Sequence, residues 1–326
     1  LAWLTHRYVE IPARAMLQQS VGTVVRRGFI YPAALLVSIM AAVIMWEGVP
    51  ARFPESVLRK SAALESSPSD LRGLCHAGDA DNPAGEDECV LGLRNRSVDF
   101  LLLGDSHANH FTGFLDELAT DAGMRGYDVT RNNAPFLPGV ALAIPNEAEY
   151  NRNFKVRNEA ISALLSGRKF RGIVLAGNYA KYHGGGILHS PSASAGSAFE
   201  QGMRAALVEA GAAAGQVFVI TPVPSLGGGL FDCSLRAERF DKPLTCSFPA
   251  QSHAASTRKL ELLFGKLKRE FPDVVWIEPA KVVCSESYCV TELQDLPIYK
   301  DAGHLNDVGS RLLAKAYRQK FGNPLR

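Results

Sequence analysis

The chain has 326 residues, of which 47% are hydrophobic, and its formal net charge is +2 at pH 7. This length accommodates one large domain or two small ones, and this apolar content excludes a chain that is disordered throughout. Lysine and arginine nearly balance the acidic residues and form no strongly basic block, so the charge pattern does not indicate a nucleic-acid partner. The chain starts with leucine, and we interpret it as a fragment of a longer protein or a processed product.

The first apolar run covers residues 29–46 and contains no charged residue. At about 1.5 Å per residue it is just long enough to cross a hydrocarbon core of roughly 30 Å. Arg26 and Arg27 precede the run, which favours a cytoplasmic N-terminus and a C-terminal domain outside the membrane. A signal peptide and a buried core helix are the alternatives. The long preceding segment and the lack of a clear cleavage site favour a transmembrane helix at 26–47.

Residues 48–96 are rich in proline, serine, aspartate and glycine, and are predicted to form an extended linker outside the membrane. All six cysteines follow the apolar run, and they fall into three local pairs: Cys75 and Cys89, Cys233 and Cys246, Cys284 and Cys289. Local disulfides are the simplest pairing and imply an oxidising compartment such as a periplasm, although spacing does not decide the connectivity. Zinc is the alternative, but no CxxC occurs, and we predict no metal site.

Five short apolar runs then alternate with helical patterns over residues 97–326. The predicted strands are 98–103, 127–130, 172–175, 217–221 and 274–277. The predicted helices are 107–122, 151–165, 197–214, 256–271 and 307–321. This alternation predicts a three-layer α/β/α domain with a five-stranded parallel sheet. Ligands bind such sheets at the carboxyl ends of the strands.

Ser106 follows the first predicted strand at that edge, where the strand becomes a helix. A serine there can act as a nucleophile, with the helix N-terminus favouring the negative charge that develops on an attacked carbonyl. A helix-capping serine is the alternative. His107 adjoins Ser106, and we interpret it as structural or substrate-contacting.

A carboxylate and an imidazole lie three residues apart near the C-terminus, at Asp301 and His304. A neutral imidazole can take the serine proton and return it, and the carboxylate can orient the ring and stabilise its cation. A surface histidine and a helix N-terminal acid are the alternatives. Together with Ser106 these residues form a candidate catalytic triad in the chain order Ser, Asp, His.

Gly177 and Asn178 follow the third predicted strand at the same edge. The Asn178 amide can donate a hydrogen bond to an oxyanion, and an ordinary turn residue is the alternative. The backbone N–H of Ser106 is a second candidate donor. A third can come from the loop 132–139, which ends at Gly139.

These residues resemble the SGNH hydrolase superfamily, which has a flavodoxin-like α/β/α fold. Gly104-Asp105-Ser106 matches its nucleophile block, and Asp301-x-x-His304 matches its last block. The resemblance implies that Asn178 is the oxyanion asparagine of the Gly-x-Asn block, with Ala176 in place of the glycine. Gly139 is the nearest candidate for the second-block glycine.

The chain further resembles the periplasmic SGNH domain that is fused to membrane acyltransferase-3 proteins. The likeness rests on Gly-Asp-Ser-His, on the preceding pair Cys75 and Cys89, and on the short loop between Cys284 and Cys289, which is followed by the run that includes Leu296, Tyr299 and Leu305. Residues 7–14 are similar to the end of the membrane domain of those proteins. It implies that residues 1–25 are the end of the acyltransferase-3 membrane domain and a cytoplasmic turn. It also implies a bacterial inner-membrane protein whose full-length chain takes acyl groups from acyl-CoA, with no cofactor in this domain.

The resemblance therefore implies an O-acetyltransferase that acylates sugar hydroxyls of a bacterial envelope polysaccharide, such as lipopolysaccharide, through a serine acyl-enzyme. An esterase that removes acetyl groups from glycans is the alternative, because the same triad can use water as the acceptor. A glycan-binding module without catalysis is a third interpretation, and the joint presence of the three triad residues argues against it.

Overall fold

The computed structural model describes residues 2–16, 19–68, 75–76, 89–94, 97–184, 187–190 and 195–326. The chain divides into two compact units, Leu1–Leu58 and Arg59–Arg326. Helix α1 of the first unit covers residues 2–16, and α2 covers Val21–Met45. A short 3-10 turn follows at Pro50–Arg52.

Helix α2 confirms the prediction of one apolar helix near the N-terminus. It is long and apolar enough to cross a membrane, and no residue of its most apolar 18-residue stretch is buried in the structure. Exposed apolar side chains on this scale are typical of a surface that another apolar phase covers. The insertion of α2 into a membrane stays a prediction that rests on length and composition.

Among the described residues, the central sheet of the second unit has six strands. In chain order they are β1 (Val90–Gly92), β2 (Phe100–Gly104), β3 (Arg125–Thr130), β5 (Phe170–Ala176), β7 (Ala214–Ile220) and β9 (Val275–Ile277). Their spatial order is β1-β3-β2-β5-β7-β9. The five predicted strands pair in parallel, as expected. The prediction of a five-stranded, all-parallel sheet is corrected: a sixth strand, β1, pairs antiparallel with β3 at the edge.

In the part of the chain that the structure describes, three two-stranded sheets lie outside the central one. They are β4 (Ala141–Leu142) with β6 (Leu188–His189), β8 (Ser247–Pro249) with β10 (Tyr288–Val290), and β11 (Glu292–Leu293) with β12 (Leu296–Pro297). The first of these joins the loop after β3 to the segment after β5. The first two small sheets therefore each tie together segments that follow different parallel strands, whereas β11 and β12 form a hairpin within the segment after β9.

Ten helices of at least four residues complete the described chain after the 3-10 turn. They are α3 (Glu55–Glu65), α4 (Ser106–Asn109), α5 (Thr112–Ala122), α6 (Ala148–Gly167), α7 (Tyr179–Gly184), α8 (Ala195–Ala213), α9 (Cys233–Arg239), α10 (Ala250–Glu270), α11 (Ala280–Val283) and α12 (Asp307–Phe321). The predicted helix 107–122 is broken into α4 and α5. The Ser310 hydroxyl satisfies the backbone at the break, because it donates to the His110 carbonyl and accepts from the Phe114 N–H.

Alternate side chains of β2 face opposite sides of the sheet. Leu101 and Leu103 pack into a core that includes side chains of α6, α8 and α10. Phe100 and Leu102 pack into a second core that includes side chains of α5 and α12. Both faces of the sheet are thus buried, which confirms the three-layer α/β/α architecture.

The segment 48–96 departs from a plain linker. It contains α3 and the edge strand β1, whose run of three residues is too short to be recognised as a strand from sequence. Residues 69–74, 77–88 and 95–96 of this segment lie outside the described residues. The three local cysteine pairs are confirmed as disulfides, Cys75–Cys89, Cys233–Cys246 and Cys284–Cys289.

Candidate active site

The nucleophile segment begins where β2 ends against β5. Gly104 pairs with Ala176, and a Cβ at Gly104 would overlap the Ala176 carbonyl oxygen, so this position requires glycine. The next residue, Asp105, caps α4 by accepting a hydrogen bond from the His107 N–H at 2.8 Å. Ser106 is therefore the first residue of α4, at the carboxyl edge of the sheet.

The structure brings Ser106, His304 and Asp301 into one hydrogen-bonded chain. His304 Nε2 lies 3.0 Å from Ser106 Oγ, and His304 Nδ1 lies 3.0 Å from Asp301 Oδ2. These two residue pairs are 198 and 3 positions apart in sequence. The structure therefore brings together the three residues of the predicted triad, and their roles as nucleophile, base and orienting acid stay a prediction.

Asp301 is held by the tight loop that also carries His304. Its Oδ1 accepts the backbone N–H of Gly303 at 2.7 Å and that of His304 at 2.8 Å. Burial raises the pKa of Asp301, but these N–H groups and the imidazole outweigh it and leave the pKa below its ordinary value. Asp301 is therefore ionised at neutral pH and can orient the ring of His304.

The loop 301–306 is fixed at its end by the start of α12. Asn306 caps α12 by accepting from the Gly309 N–H at 2.6 Å. Its amide nitrogen donates to the carbonyls of Pro297 and Tyr299 at 2.8 and 3.2 Å. A fully buried cap of this kind anchors the acid and the base to the second core of the domain.

Asn178 lies beside the triad and is held at both its backbone and its side chain. Its backbone N–H donates to the carboxylate of Asp105 at 3.1 Å, and its side-chain nitrogen lies 3.0 Å from His107 Nε2. A Cβ at Gly177 would lie 3.6 Å from Asp105 Oδ1, so the turn also packs against that carboxylate. The loop after β5 is thereby attached to the residues on either side of Ser106.

Asp105 is a site residue to which sequence reasoning assigned no role. It is 1% exposed, and besides the N–H groups of His107 and Asn178 it accepts a hydrogen bond from the buried Tyr182 hydroxyl. Burial and the neighbouring carboxylate raise the pKa of Tyr182 well above its ordinary value, so this hydroxyl keeps its proton. The position of this acid, directly after a buried strand and directly before the candidate nucleophile, is the signal that could have indicated this role.

Gly139 lies apart from this group. The structure places it in the turn between β3 and β4 with a φ of +77°, a conformation that favours glycine, and the space around it is open. In the described part of the chain no hydrogen bond joins it to Ser106, Asn178 or His304. Its predicted role as an oxyanion donor stays a prediction.

Three imidazoles meet next to Ser106. The ring centroid of His107 lies 4.4 Å from that of His304 and 5.1 Å from that of His110. Burial lowers the pKa of His107 to about 4, and burial with the nearby imidazoles lowers that of His110 well below its ordinary value. Both rings are neutral at pH 7, and His110 Nδ1 accepts the Leu305 N–H at 3.4 Å.

The triad faces solvent rather than a closed cavity. The side chain of Asp301 is 51% exposed and that of His304 is 34% exposed. Among the residues that the structure describes, no group of three or more histidine, cysteine, aspartate or glutamate side chains is arranged to hold a metal ion. A hydroxyl, an imidazole and a carboxylate in this geometry can carry out proton transfer and nucleophilic attack.

A family model, SGNH domain (fused to AT3 domains), matches residues 74–319. Among solved structures, the periplasmic domain of the lipopolysaccharide acetyltransferase from Salmonella ser. Paratyphi A is similar, with a TM-score of 0.53 and 18% identity over 83% of this chain and 98% of that chain. A salicylyl-acyltransferase from a tetracycline biosynthetic pathway matches with a TM-score of 0.36 and 13% identity, over 71% of this chain and 57% of that chain. No curated protein sequence matches the chain. Because the family model covers most of its length, the chain belongs to the family of SGNH domains that are fused to AT3 domains.

Proposed function

We propose that this chain is part of an O-acetyltransferase that modifies sugar hydroxyls of a bacterial envelope polysaccharide through a Ser106 ester. The observation that carries the proposal is the hydrogen-bonded chain from Ser106 through His304 to Asp301, with both distances at 3.0 Å. Membership of a family whose domains are fused to AT3 domains supports a role in acyl transfer.

In the first half of the proposed reaction, Ser106 Oγ attacks the carbonyl carbon of an acetyl donor while His304 Nε2 takes the hydroxyl proton. The carbonyl oxygen becomes an oxyanion, and the Asn178 amide donates a hydrogen bond to it. The tetrahedral intermediate then expels the donor's leaving group, which takes from His304 the proton that came from Ser106. Ser106 then carries the acetyl group as an ester.

In the second half, a sugar hydroxyl gives its proton to His304 Nε2 and its oxygen attacks the acetyl carbon. The bond between Ser106 Oγ and that carbon breaks, and the proton returns from His304 to the serine. Asp301 holds the imidazole so that Nε2 faces the serine in both halves. The acetyl group leaves on the sugar, and the triad is restored.

The proposal places the domain on the outer side of the bacterial inner membrane, with α2 as the membrane span. Three disulfides in the described chain are consistent with an oxidising compartment such as the periplasm. Residues 1–25 would be the end of the acyltransferase-3 membrane domain. That domain of the full-length protein would take the acetyl group from acyl-CoA and deliver it outward.

The test compares envelope polysaccharides from cells that carry the wild-type gene, Ser106→Ala or Ser166→Ala. Ser166 is an exposed serine at the end of α6, so its substitution makes the same chemical change away from the triad. NMR of the purified polysaccharide is expected to show O-acetyl signals with the wild type and with Ser166→Ala, and none with Ser106→Ala. Retained O-acetylation in Ser106→Ala cells, at normal protein level, would contradict the proposal.

Hydrolysis of acetylated glycans is the second candidate function. The half-exposed side chains of Asp301 and His304 favour it, because water reaches them as readily as a sugar does. The purified full-length protein, incubated with an acetyl ester with and without a glycan acceptor, separates the two. Formation of acetylated glycan indicates a transferase. Release of free acetate at the same rate with and without the glycan acceptor indicates an esterase.

A further inference from the structure

His107 is in contact with the triad but has no part in the proton transfers described above. It directly follows Ser106, and its ring lies between the ring of His304 and the amide of Asn178. A Cβ at Gly303 would be 3.5 Å from His107 Cε1, so the ring also fills the space under the loop that carries Asp301. A side chain in this position can control where its neighbours point.

The hydrogen bonds around Asn178 define the direction of its amide. The backbone N–H of Lys181 donates to Asn178 Oδ1 at 3.3 Å, so the amide nitrogen is the group that faces His107. An amide NH2 group donates and does not accept. His107 Nε2, at 3.0 Å, is therefore the acceptor, and the neutral ring carries its hydrogen on Nδ1.

The protonation state of His107 agrees with this assignment. Burial lowers its pKa to about 4, so Nε2 has a free lone pair at neutral pH. Protonation of His107 Nε2 would place its N–H against the N–H of the Asn178 amide. It would also place a second positive charge beside the imidazolium that forms on His304. The site therefore works with His107 neutral.

Asn178 is thus held by both neighbours of the nucleophile. Asp105, which precedes Ser106, accepts the Asn178 backbone N–H. His107, which follows Ser106, accepts one hydrogen of the side-chain amide. Because the amide is planar, fixing one of its N–H bonds also fixes the direction of the other.

We propose that His107 is a positioning residue that accepts one amide hydrogen of Asn178 and thereby aims the other at the oxyanion formed on Ser106 attack. The inference rests on the proposed function, in which Ser106 forms an ester and Asn178 donates to the oxyanion. It goes further in assigning the residue after the nucleophile a task that the triad does not perform. The oxyanion donor and the nucleophile are then aligned by one three-residue segment.

Side chains of matched polarity can separate this role from packing. In His107→Gln the Oε1 oxygen can occupy the position of Nε2 and accept from Asn178. In His107→Asn the side-chain oxygen reaches only the position of Nδ1, so the side chain is too short to contact the Asn178 amide. His107→Leu removes the acceptor and keeps an apolar side chain in the buried space.

The experiment measures hydrolysis of an aryl acetate by the full chain in detergent, so that no glycan acceptor is needed. We expect His107→Leu and His107→Asn to lower kcat about tenfold with KM within about twofold, and His107→Gln to stay within about threefold of wild type, because removing an oxyanion donor outright costs about 10²- to 10³-fold. Asn178→Ala is expected to show that larger loss. The double variant His107→Leu/Asn178→Ala should be no slower than Asn178→Ala, because His107 acts through the amide.

Equal loss in His107→Gln and His107→Asn, or losses that multiply in the double variant, would overturn the inference. So would unchanged kcat in His107→Leu. Melting temperature measured for each variant identifies any that fails to fold, and His107→Gln and Asn178→Ala then still provide the comparison. Ser106→Ala in the same assay separates the two proposals. Retained activity there contradicts the Ser106 ester itself, whereas lost activity with multiplying effects contradicts the His107 role alone.

Discussion

His304 and His107 are neighbouring rings of the same residue type, with opposite environments. His304 is about one-third exposed, and its Nδ1 contacts the carboxylate of Asp301. His107 is mostly buried and contacts an amide, and burial keeps its ring neutral. The difference teaches that adjacency to the serine in sequence does not make an imidazole the candidate base. His304 contacts Ser106 Oγ and an orienting carboxylate, whereas His107 is buried against an amide.

The largest effect is expected when His304 is replaced, because no other described side chain contacts Ser106 Oγ as a base. His304→Ala should lower kcat/KM for aryl acetate hydrolysis by about 10³- to 10⁶-fold, as loss of a triad base does elsewhere. The exposed His189 provides the control, and His189→Gln should retain wild-type activity. Substantial activity in His304→Ala would mean that another ring, such as that of His107, serves as the base.

Asp301→Asn removes the carboxylate contact that the ring of His304 has and the ring of His107 lacks. The amide nitrogen of asparagine can donate to His304 Nδ1, which moves the ring hydrogen to Nε2 and removes the acceptor for the serine proton. We expect kcat to fall by about 10²- to 10⁴-fold with little change in melting temperature. Asp273→Asn, at an exposed turn before β9, is the matched control. A loss below about threefold would show that Asp301 does not orient the ring.

The stability of the fold should depend on pH through the neutral rings. The pKa of His107 is about 4 in the folded chain, against an ordinary value of 6.5, so the unfolded chain takes up this proton first as the pH falls. The stabilisation is fully present above pH 6.5 and is lost as the pH falls to about 4. Its size is on the order of 3 kcal/mol.

Thermal unfolding of the wild type and of His107→Gln at a series of pH values measures this effect. The wild type should lose more stability than the variant between pH 6.5 and 4, because glutamine does not titrate. Asp105, Asp301, His304 and Lys181 also act on His107 and are unchanged in the variant. Parallel curves for the two proteins would show that the pKa of His107 is not lowered in the folded chain.

The smallest effect on catalysis is expected at His110, which shares burial with His107 and lacks its contact with Asn178. Its Nε2 has no hydrogen-bond partner among the described residues. His110→Asn should cost about 1–2 kcal/mol of stability through lost ring packing, and should leave kcat within about threefold of wild type. The same change at His107 is expected to lower kcat tenfold. Equal losses in the two variants would attribute the His107 effect to packing.

Much of the fold could be predicted because local patterns report it directly. The five parallel strands are short apolar runs between turn residues, and α12 begins and ends at the predicted residues 307 and 321. The edge strand β1 was missed, because three residues carry no periodicity and their strand conformation depends on pairing with β3. The break between α4 and α5 was missed because it depends on the Ser310 hydroxyl, which comes from the far end of the chain.

By itself, the sequence determined which three residues form the candidate triad and the edge of the sheet at which Ser106 lies. It could do so because a strand followed by Gly-Asp-Ser, and an acid three residues before a histidine, are local patterns. Only the tertiary structure decided that Asp105 and His107 hold Asn178, since these contacts join residues 73 and 71 positions apart. The tertiary structure also set the burial of each imidazole, and burial determines which of them stays neutral.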